Sequence, residues 1–397
     1  MNILFFTDSD VYSMRGGIDR TVGVLSDSLT KQGYKCFLAF FDKTPNEQIF
    51  PFEKRIPIDL ENISVQMTEF LAENRIQAII VSTATKQHIR FLLPQIEKVV
   101  AGEKISTYFW FHGMPGYELA PLNLNAALYR ILHKSGKIVN LKKFWLALLS
   151  KFSFSLSIMR RLLREKYAFV CRYSDKIIVL SKPYIKTFAK IANTSEDKFV
   201  VISNGLTFSN FANKEIIAQK EKIVLIVARI DEDSKRISLA LKIWKQIEQQ
   251  NGLSDWKLVI IGSGIDEDYC KRLSRKLQLK KCVFEGQQNP HDYYKRASIF
   301  LMTSSNEGFP MTLGEAQQMG VVPIAFDSFG AVYDSITNNV NGCIISEGDI
   351  DAFVQQLVYL MHNDERRQVI ASHAIESCKQ FTGKKILKQW IELFQAK

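Results

Sequence analysis

Short apolar runs alternate with amphipathic stretches along the whole chain, and no other feature limits its fold as strongly. This is the pattern of parallel sheets whose strands are joined by crossover helices. In the first half the candidate strands are Asn2–Thr7, Lys35–Phe41, Gln77–Ser82, Ile105–Phe111, Lys176–Leu180 and Phe199–Ser203. In the second they are Lys222–Ala228, Trp256–Gly262, Lys281–Glu285, Ser298–Met302, Val321–Phe326 and Gly342–Ile345. Between the sets, Asn204–Glu221 is polar and turn-rich and marks a domain boundary. The expectation is an α/β protein of two doubly wound, Rossmann-like domains, 1–206 and 207–383, with ligands beyond the strands' carboxyl ends. Two such domains facing each other would enclose a deep cleft. The last segment carries Ile386, Leu387, Trp390, Ile391, Leu393 and Phe394 at helical spacing, so 384–397 is expected to pack back on the first domain.

A length of 397 residues suits two domains of this size. Every apolar run falls short of the ~20 residues that span a bilayer. Met1–Phe6 lacks a basic lead and is followed at once by Asp8 and Asp10, so it reads as a buried strand and the protein as cytoplasmic. Cys36, Cys171, Cys270, Cys282, Cys343 and Cys378 are scattered, without C-x-x-C or a His at metal spacing, so neither disulfide nor structural zinc is expected. Charge is unevenly placed. Ten basic residues lie between Leu119 and Lys166 (Arg130, Lys134, Lys137, Lys142, Lys143, Lys151, Arg160, Arg161, Arg164 and Lys166), opposed only by Glu165, so this stretch holds nine of the net +11. An anionic membrane surface or a nucleic acid would each suit such a stretch.

The run Ser304-Ser305-Asn306-Glu307-Gly308-Phe309-Pro310-Met311-Thr312-Leu313-Gly314-Glu315 places two carboxylates around a Gly and a Pro. Pro310 bars a helix through Phe309, so Glu307 belongs to a loop after a strand and Glu315 to the helix that follows. A helix N-terminus and loop amides favour a diphosphate, and a carboxylate one turn on accepts from ribose hydroxyls. The plainer readings are a capping box, Thr312 to Glu315, and a solvated loop acid at Glu307. Arg229, at a strand's end, can fork onto phosphate oxygens and Lys235 can add a point charge, unless both merely pair with Asp231, Glu232 and Asp233. Gly16-Gly17 precede the helical stretch Ile18–Gln32 and permit close backbone approach, or form a simple turn. His112 ends an apolar strand, where it is structural or lines the ligand crevice. The D-x-D patterns at Asp8, Asp231 and Asp266 read as turns and N-caps rather than metal sites. Gly262-Ser263-Gly264 lacks the third glycine of a dinucleotide fingerprint, since Glu267 holds its place.

Taken in order, these motifs resemble the retaining glycosyltransferases of the GT-B fold, family 4. The resemblance runs from Gly16-Gly17 through His112-Gly113, Val201–Gly205, Arg229 with Lys235, Val259–Gly264, Phe284-Glu285-Gly286, the Glu307/Glu315 pair and Gly320–Ala325 to Asn341-Gly342. It implies that Glu315 holds the donor's ribose and that Glu307 contacts the transferred sugar, helped by amides of Phe309, Pro310 and Met311. Arg229 and Lys235 would neutralise the diphosphate under Gly16-Gly17, His112 would contact the sugar near the breaking bond, and backbone at Glu285 would border the base. His112 and Glu307 are thus the catalytic candidates. No metal or other cofactor is implied, and the partners are a nucleotide-sugar donor, expected to be a UDP-sugar, and a glycan acceptor. Departures from the pattern are Ala228 for a glycine, an added residue between Arg229 and Lys235, Arg236 for a glycine (an alternative cation to Lys235) and Asp334 for a glutamate.

Enzymes of this kind often act on lipid-linked acceptors in surface polysaccharide or lipopolysaccharide synthesis. The basic segment 119–166, read as an excursion of the acceptor domain, interleaves its cations with Phe144, Trp145, Leu148, Phe152, Ile158 and Leu162. It is expected to dock peripherally on the inner face of the cell membrane, or else to pack on its own domain. The runner-up functions are a nucleotide-sugar epimerase or hydrolase on the same scaffold and a basic nucleic-acid-binding protein. Confinement of the charge to one apolar-rich segment speaks against nucleic acid.

Overall fold

The computed structural model describes residues 1–396 apart from 12–16, 43–49, 60–61, 83–85, 103–104, 120–122, 134–140, 142–143, 146–147 and 149–152. It comprises two compact units. The N-terminal unit contains Met1–Gly116, Arg161–Gly205 and Phe381–Lys397; the C-terminal unit contains Tyr117–Arg160 and Leu206–Gln380.

The N-terminal sheet consists of β1 (Asn2–Ser9), β2 (Lys35–Asp42), β3 (Arg55–Pro57), β4 (Ala78–Val81), β5 (Ser106–Phe111), β6 (Lys176–Val179) and β7 (Phe199–Val201). Their order is β3-β2-β1-β4-β5-β6-β7, with all pairs parallel. Ile3 of β1 lies opposite Cys36 of β2 and Ala78 of β4, and the run Ile3–Phe6 is wholly inaccessible. Apolar residues on both faces follow from helices covering both sides of a parallel sheet. The terminal helix Gly383–Gln395 belongs to this unit. Its Trp390 is fully buried, edge-on to Trp110 with ring centroids 4.7 Å apart, and Phe394 packs on Tyr108 at 5.8 Å.

The C-terminal sheet consists of β8 (Glu221–Val227), β9 (Lys257–Ile261), β10 (Cys282–Gly286), β11 (Ala297–Met302), β12 (Val322–Phe326) and β13 (Cys343–Ile345), in the order β10-β9-β8-β11-β12-β13. All pairs are again parallel. Its core is built on helix Ile237–Ile247, where Ile237, Leu241 and Trp244 recur at i, i+4 and i+7 and are buried with Leu258, Ile260 and Leu301. Each such side chain stabilises the fold by about 1.5–3 kcal/mol. Strand order reverses between β8 and β11, so ligand chemistry is expected where the loops after these two strands meet.

Two details depart from the sequence reading. The edge strand β3 was not anticipated; it is only three residues, ends in Pro57, and offers no apolar run. The Tyr117–Arg160 part of the basic excursion clusters with the C-terminal unit, because its helix Leu124–His133 is fastened there by Arg130.

Candidate active site

Beyond β8 and β11, three loops are fixed against one another. Gly262, just after β9, has φ +131°, and a Cβ on it would stand 2.0 Å from the carbonyl oxygen of Ala228. A Cβ at Gly264 would stand 2.2 Å from that of Ile230. Glycine alone permits this approach. It lets Ile230 N–H donate to the Ser263 carbonyl at 2.9 Å and Asp266 N–H to the Ile230 carbonyl at 3.2 Å. The Gly-Ser-Gly run therefore joins the loops after β8 and β9 through their backbones.

Arg236 makes the second joint. It takes the left-handed conformation (φ 49°) before helix Ile237–Ile247, and its guanidinium donates to the carbonyls of Thr303 at 2.6 Å and Ser304 at 3.1 Å while pairing with Glu347. Ser305 adds N–H to the Ser234 carbonyl at 2.7 Å and Oγ to the Asp233 carbonyl at 2.9 Å. The sequence reading left Arg236 as an alternative to Lys235. In the structure Arg236 is engaged with the loop after β11, whereas Lys235 faces Glu307.

Lys235 is thereby delivered to Glu307. Its Nζ donates to Glu307 Oε1 at 2.5 Å, and Ser304 Oγ donates to the same oxygen at 2.7 Å. The side chains retain 21% and 12% of their exposure and line one concavity with Val227, Ala228 and Thr312. A cation beside a hydroxyl-accepting carboxylate at a switch point can meet a polyanion carrying a sugar.

Pro310 caps helix Met311–Gln318, which places Glu307 on the loop and Glu315 in the second turn. Because Thr312 lies inside the first turn, Thr312 and Glu315 do not form a capping box. Pro310 has no N–H, so of the three residues expected to offer amides only Phe309 and Met311 can donate. Glu315 is 2% exposed, and its Oε2 accepts from the hydroxyl of buried Tyr294 at 3.1 Å. Arg229 is 69% exposed and pairs with Asp231 at 3.1 Å on its own loop. Glu285, in β10, is exposed and its carbonyl accepts from Gln288 Nε2 at 3.5 Å.

In the N-terminal unit, Gly17 is the exposed first residue of helix Gly17–Thr30, and Gly16 lies outside the described residues. His112 follows β5 and packs on Trp110 with ring centroids 4.5 Å apart. Some of the residue reaches solvent, but Nε2 is sealed and has no hydrogen-bond partner among the described residues. Burial of that nitrogen pushes the imidazole's pKa down to about 3, so the ring is neutral at ordinary pH.

Sequence reasoning missed Tyr294 as the partner of Glu315. It also missed the buried group Arg130, Asp233 and Asp266, whose aspartates read as turn or N-cap residues and whose arginine was counted among the cations of the basic segment 119–166. Arg130 is 2% exposed and takes both aspartates, so it leaves the tally of surface cations. Among the described residues, no group of His, Cys, Asp and Glu is disposed to hold a metal ion.

Residues 208–377 match the family model described as Glycosyl transferases group 1. The amylovoran biosynthesis glycosyltransferase AmsD of Erwinia amylovora is 25% identical over 244 residues, covering 60% of this chain and 67% of that protein. In Campylobacter jejuni, the N-acetylgalactosamine-N,N'-diacetylbacillosaminyl-diphospho-undecaprenol 4-alpha-N-acetylgalactosaminyltransferase is 23% identical over 305 residues, covering 75% of this chain and 78% of its own. Among solved structures, Anabaena HepE in complex with UDP and glucose aligns with a TM-score of 0.73 over 100% of both chains at 15% identity, a likeness of fold. The chain therefore carries the two-domain GT-B glycosyltransferase fold, and its C-terminal unit matches the glycosyl transferases group 1 family from residue 208 to 377.

Proposed function

We propose that this protein is a retaining, metal-independent glycosyltransferase that moves a sugar from a UDP-sugar to a lipid-linked glycan acceptor. The observation that carries this reading is the Lys235–Glu307 pair, fixed by three interlocked loops at the switch point of the family-matched unit. Lys235 meets the diphosphate, with Arg229 as the exposed cation beyond it. Glu307 accepts from the sugar's hydroxyls, and Glu315 with Tyr294 forms the nucleoside end. With Nε2 sealed, neutral His112 contacts the sugar through the part of the residue that meets solvent. In the reaction the anomeric C–O bond to the diphosphate breaks with its electron pair leaving on the phosphate. The acceptor oxygen bonds the same carbon from the same face, and its proton passes to the departing phosphate oxygen. Breaking that bond adds a further negative charge to an already anionic diphosphate before the proton arrives, and fixed cations contribute most there.

Metal independence is supported by how the D-x-D aspartates are used: Asp10 pairs with Arg55, Asp231 with Arg229, and Asp233 and Asp266 with Arg130. UDP as carrier and a polyprenyl diphosphate acceptor are supported by the bound ligand of HepE and by the name of the Campylobacter relative. No described helix is long and apolar enough to cross a membrane. Peripheral docking on the inner face of an anionic membrane is supported by exposed Ile158 and Leu162 close in sequence to exposed Arg160, Arg161 and Arg164, and by the exposure of Leu128, Leu132 and Trp145 earlier in the basic segment. The test is transfer from UDP-sugars, assayed with the Glu307→Ala and Glu315→Ala variants; full activity in either would remove that residue from the site. Salt-sensitive co-sedimentation with vesicles of anionic lipid tests the docking, and equal recovery with neutral vesicles would end it.

A further inference from the structure

Arg130 lies in the most basic segment of the chain, yet it is one of the most deeply buried side chains, 2% exposed on helix Leu124–His133. Its Nε donates to Asp266 Oδ1 at 2.6 Å, one Nη donates to Asp266 Oδ2, and the other donates to Asp233 Oδ2 at 2.8 Å. Asp266 is fully sealed and also accepts the N–H of Glu232 at 2.9 Å. Asp233 Oδ1 accepts the N–H of Asn123 at 3.1 Å. One guanidinium thus bridges two carboxylates on different loops, those after β8 and β9, and it comes from more than a hundred residues away in sequence.

This group is one contact from the candidate site. The carbonyl of Asp233 takes Ser305 Oγ, the carbonyl of Ser234 takes Ser305 N–H, and the next residue is Lys235, whose ammonium reaches Glu307. The ends of the loop after β8 are held by backbone bonds at Ala228 and Ile230 and by Arg236. In the turn Asp231–Asp233 between them, buried Glu232 accepts from Ser238 N–H at 2.8 Å and donates its own N–H to Asp266, and Asp233 is gripped by Arg130, Asn123 and Ser305, so Arg130 acts on this turn through both aspartates.

We propose that Arg130 is a positioning residue for diphosphate binding: through Asp233 and Asp266 it fixes the turn that delivers Lys235 to Glu307. This rests on the reading of Lys235 as the diphosphate cation. Without Arg130, sealed Asp266 and part-buried Asp233 lose their common counter-charge and repel one another. The turn then relaxes, and Lys235 leaves the geometry in which it serves the donor.

The test is a double-mutant cycle on UDP affinity, measured by calorimetry on wild type, Arg130→Met, Lys235→Ala and the pair, with thermal melting as a check on folding. The variant R130M/D233N/D266N removes the uncompensated charges together with the arginine and keeps a foldable control. Loss of UDP affinity of about tenfold or more in R130M is expected. That loss should persist in the triple variant after its melting temperature recovers, and R130M should add no further loss to K235A. Wild-type affinity in the triple variant, or losses that add in the R130M/K235A pair, would overturn the positioning role while leaving the donor site in place. Failure of wild type itself to bind UDP, GDP or dTDP would overturn the donor-site reading and this proposal with it.

Discussion

Replacing His112 with Gln should flatten the acid limb of the protein's stability curve. In the folded chain the Nε2 of His112 is sealed against the Trp110 ring, and burial lowers its pKa from 6.5 to about 3. Between these two values the unfolded chain binds a proton that the folded chain refuses. Stability is therefore unaffected by His112 well above pH 6.5 and falls as pH drops through the window down to about 3. The slope approaches ~1.4 kcal/mol per pH unit inside that window, and integrating from about pH 7 to about pH 5 gives a loss of about 2 kcal/mol from this one residue. Urea unfolding of wild type and His112→Gln across that range isolates the effect, because other titrating groups cancel in the difference. Wild type should lose about 2 kcal/mol more than the variant. Parallel curves, within about 0.5 kcal/mol, would show that the imidazole is hydrated in the folded protein and would refute the sealed, neutral His112.

Glu307→Gln keeps the shape of the Lys235 contact but removes its charge; transfer should fall about 10²–10³-fold. Its melting temperature should drop by only ~2–4 °C, and a rate within tenfold of wild type would contradict the role given to Glu307. Gly262→Ala forces a Cβ to within 2.0 Å of the Ala228 carbonyl at positive φ, so unfolding experiments should show a loss of about 2 kcal/mol or more, and near-neutrality would mean the loops are not interlocked. Trp390→Ala empties a fully buried site against Trp110 and should cost ~3–5 kcal/mol in the same assay; a loss under about 1 kcal/mol would show that the terminal helix is not part of this core. Asp231→Asn removes the ion pair with exposed Arg229 while keeping an Oδ1 that can accept the Asp233 N–H, and should change stability by less than about 0.5 kcal/mol; a larger change would mean the pair is structural.

The framework of both sheets was legible because buried parallel strands are uninterrupted apolar runs: Ile3–Phe6, Ile223–Val227 and Ile299–Met302 announce themselves without reference to any partner. Pro310 also located the start of a helix and so separated Glu307 from Glu315. What stayed hidden depends on contacts remote in sequence. Arg130 looked like one more surface cation because its partners lie 103 and 136 residues away. Tyr294 could not be matched to Glu315 from spacing, and Gly262-Ser263-Gly264 shows in sequence only an incomplete dinucleotide fingerprint, whereas the fold needs Gly262 for backbone packing against Ala228. Arg236 shows the same limit: the sequence offers it only as an alternative to Lys235, and only the fold shows it gripping the Thr303 carbonyl.

The central claim is that the Lys235–Glu307 pair is the diphosphate and sugar end of a nucleotide-sugar site. Its most direct test is calorimetric titration of UDP and of a UDP-sugar into wild type and Lys235→Ala. The account predicts saturable, one-site binding to wild type that weakens at least ~10-fold for both ligands in the variant, since a hydrogen-bonded cation on phosphate contributes about 1.5–3 kcal/mol. Equal affinity in the two proteins would contradict it.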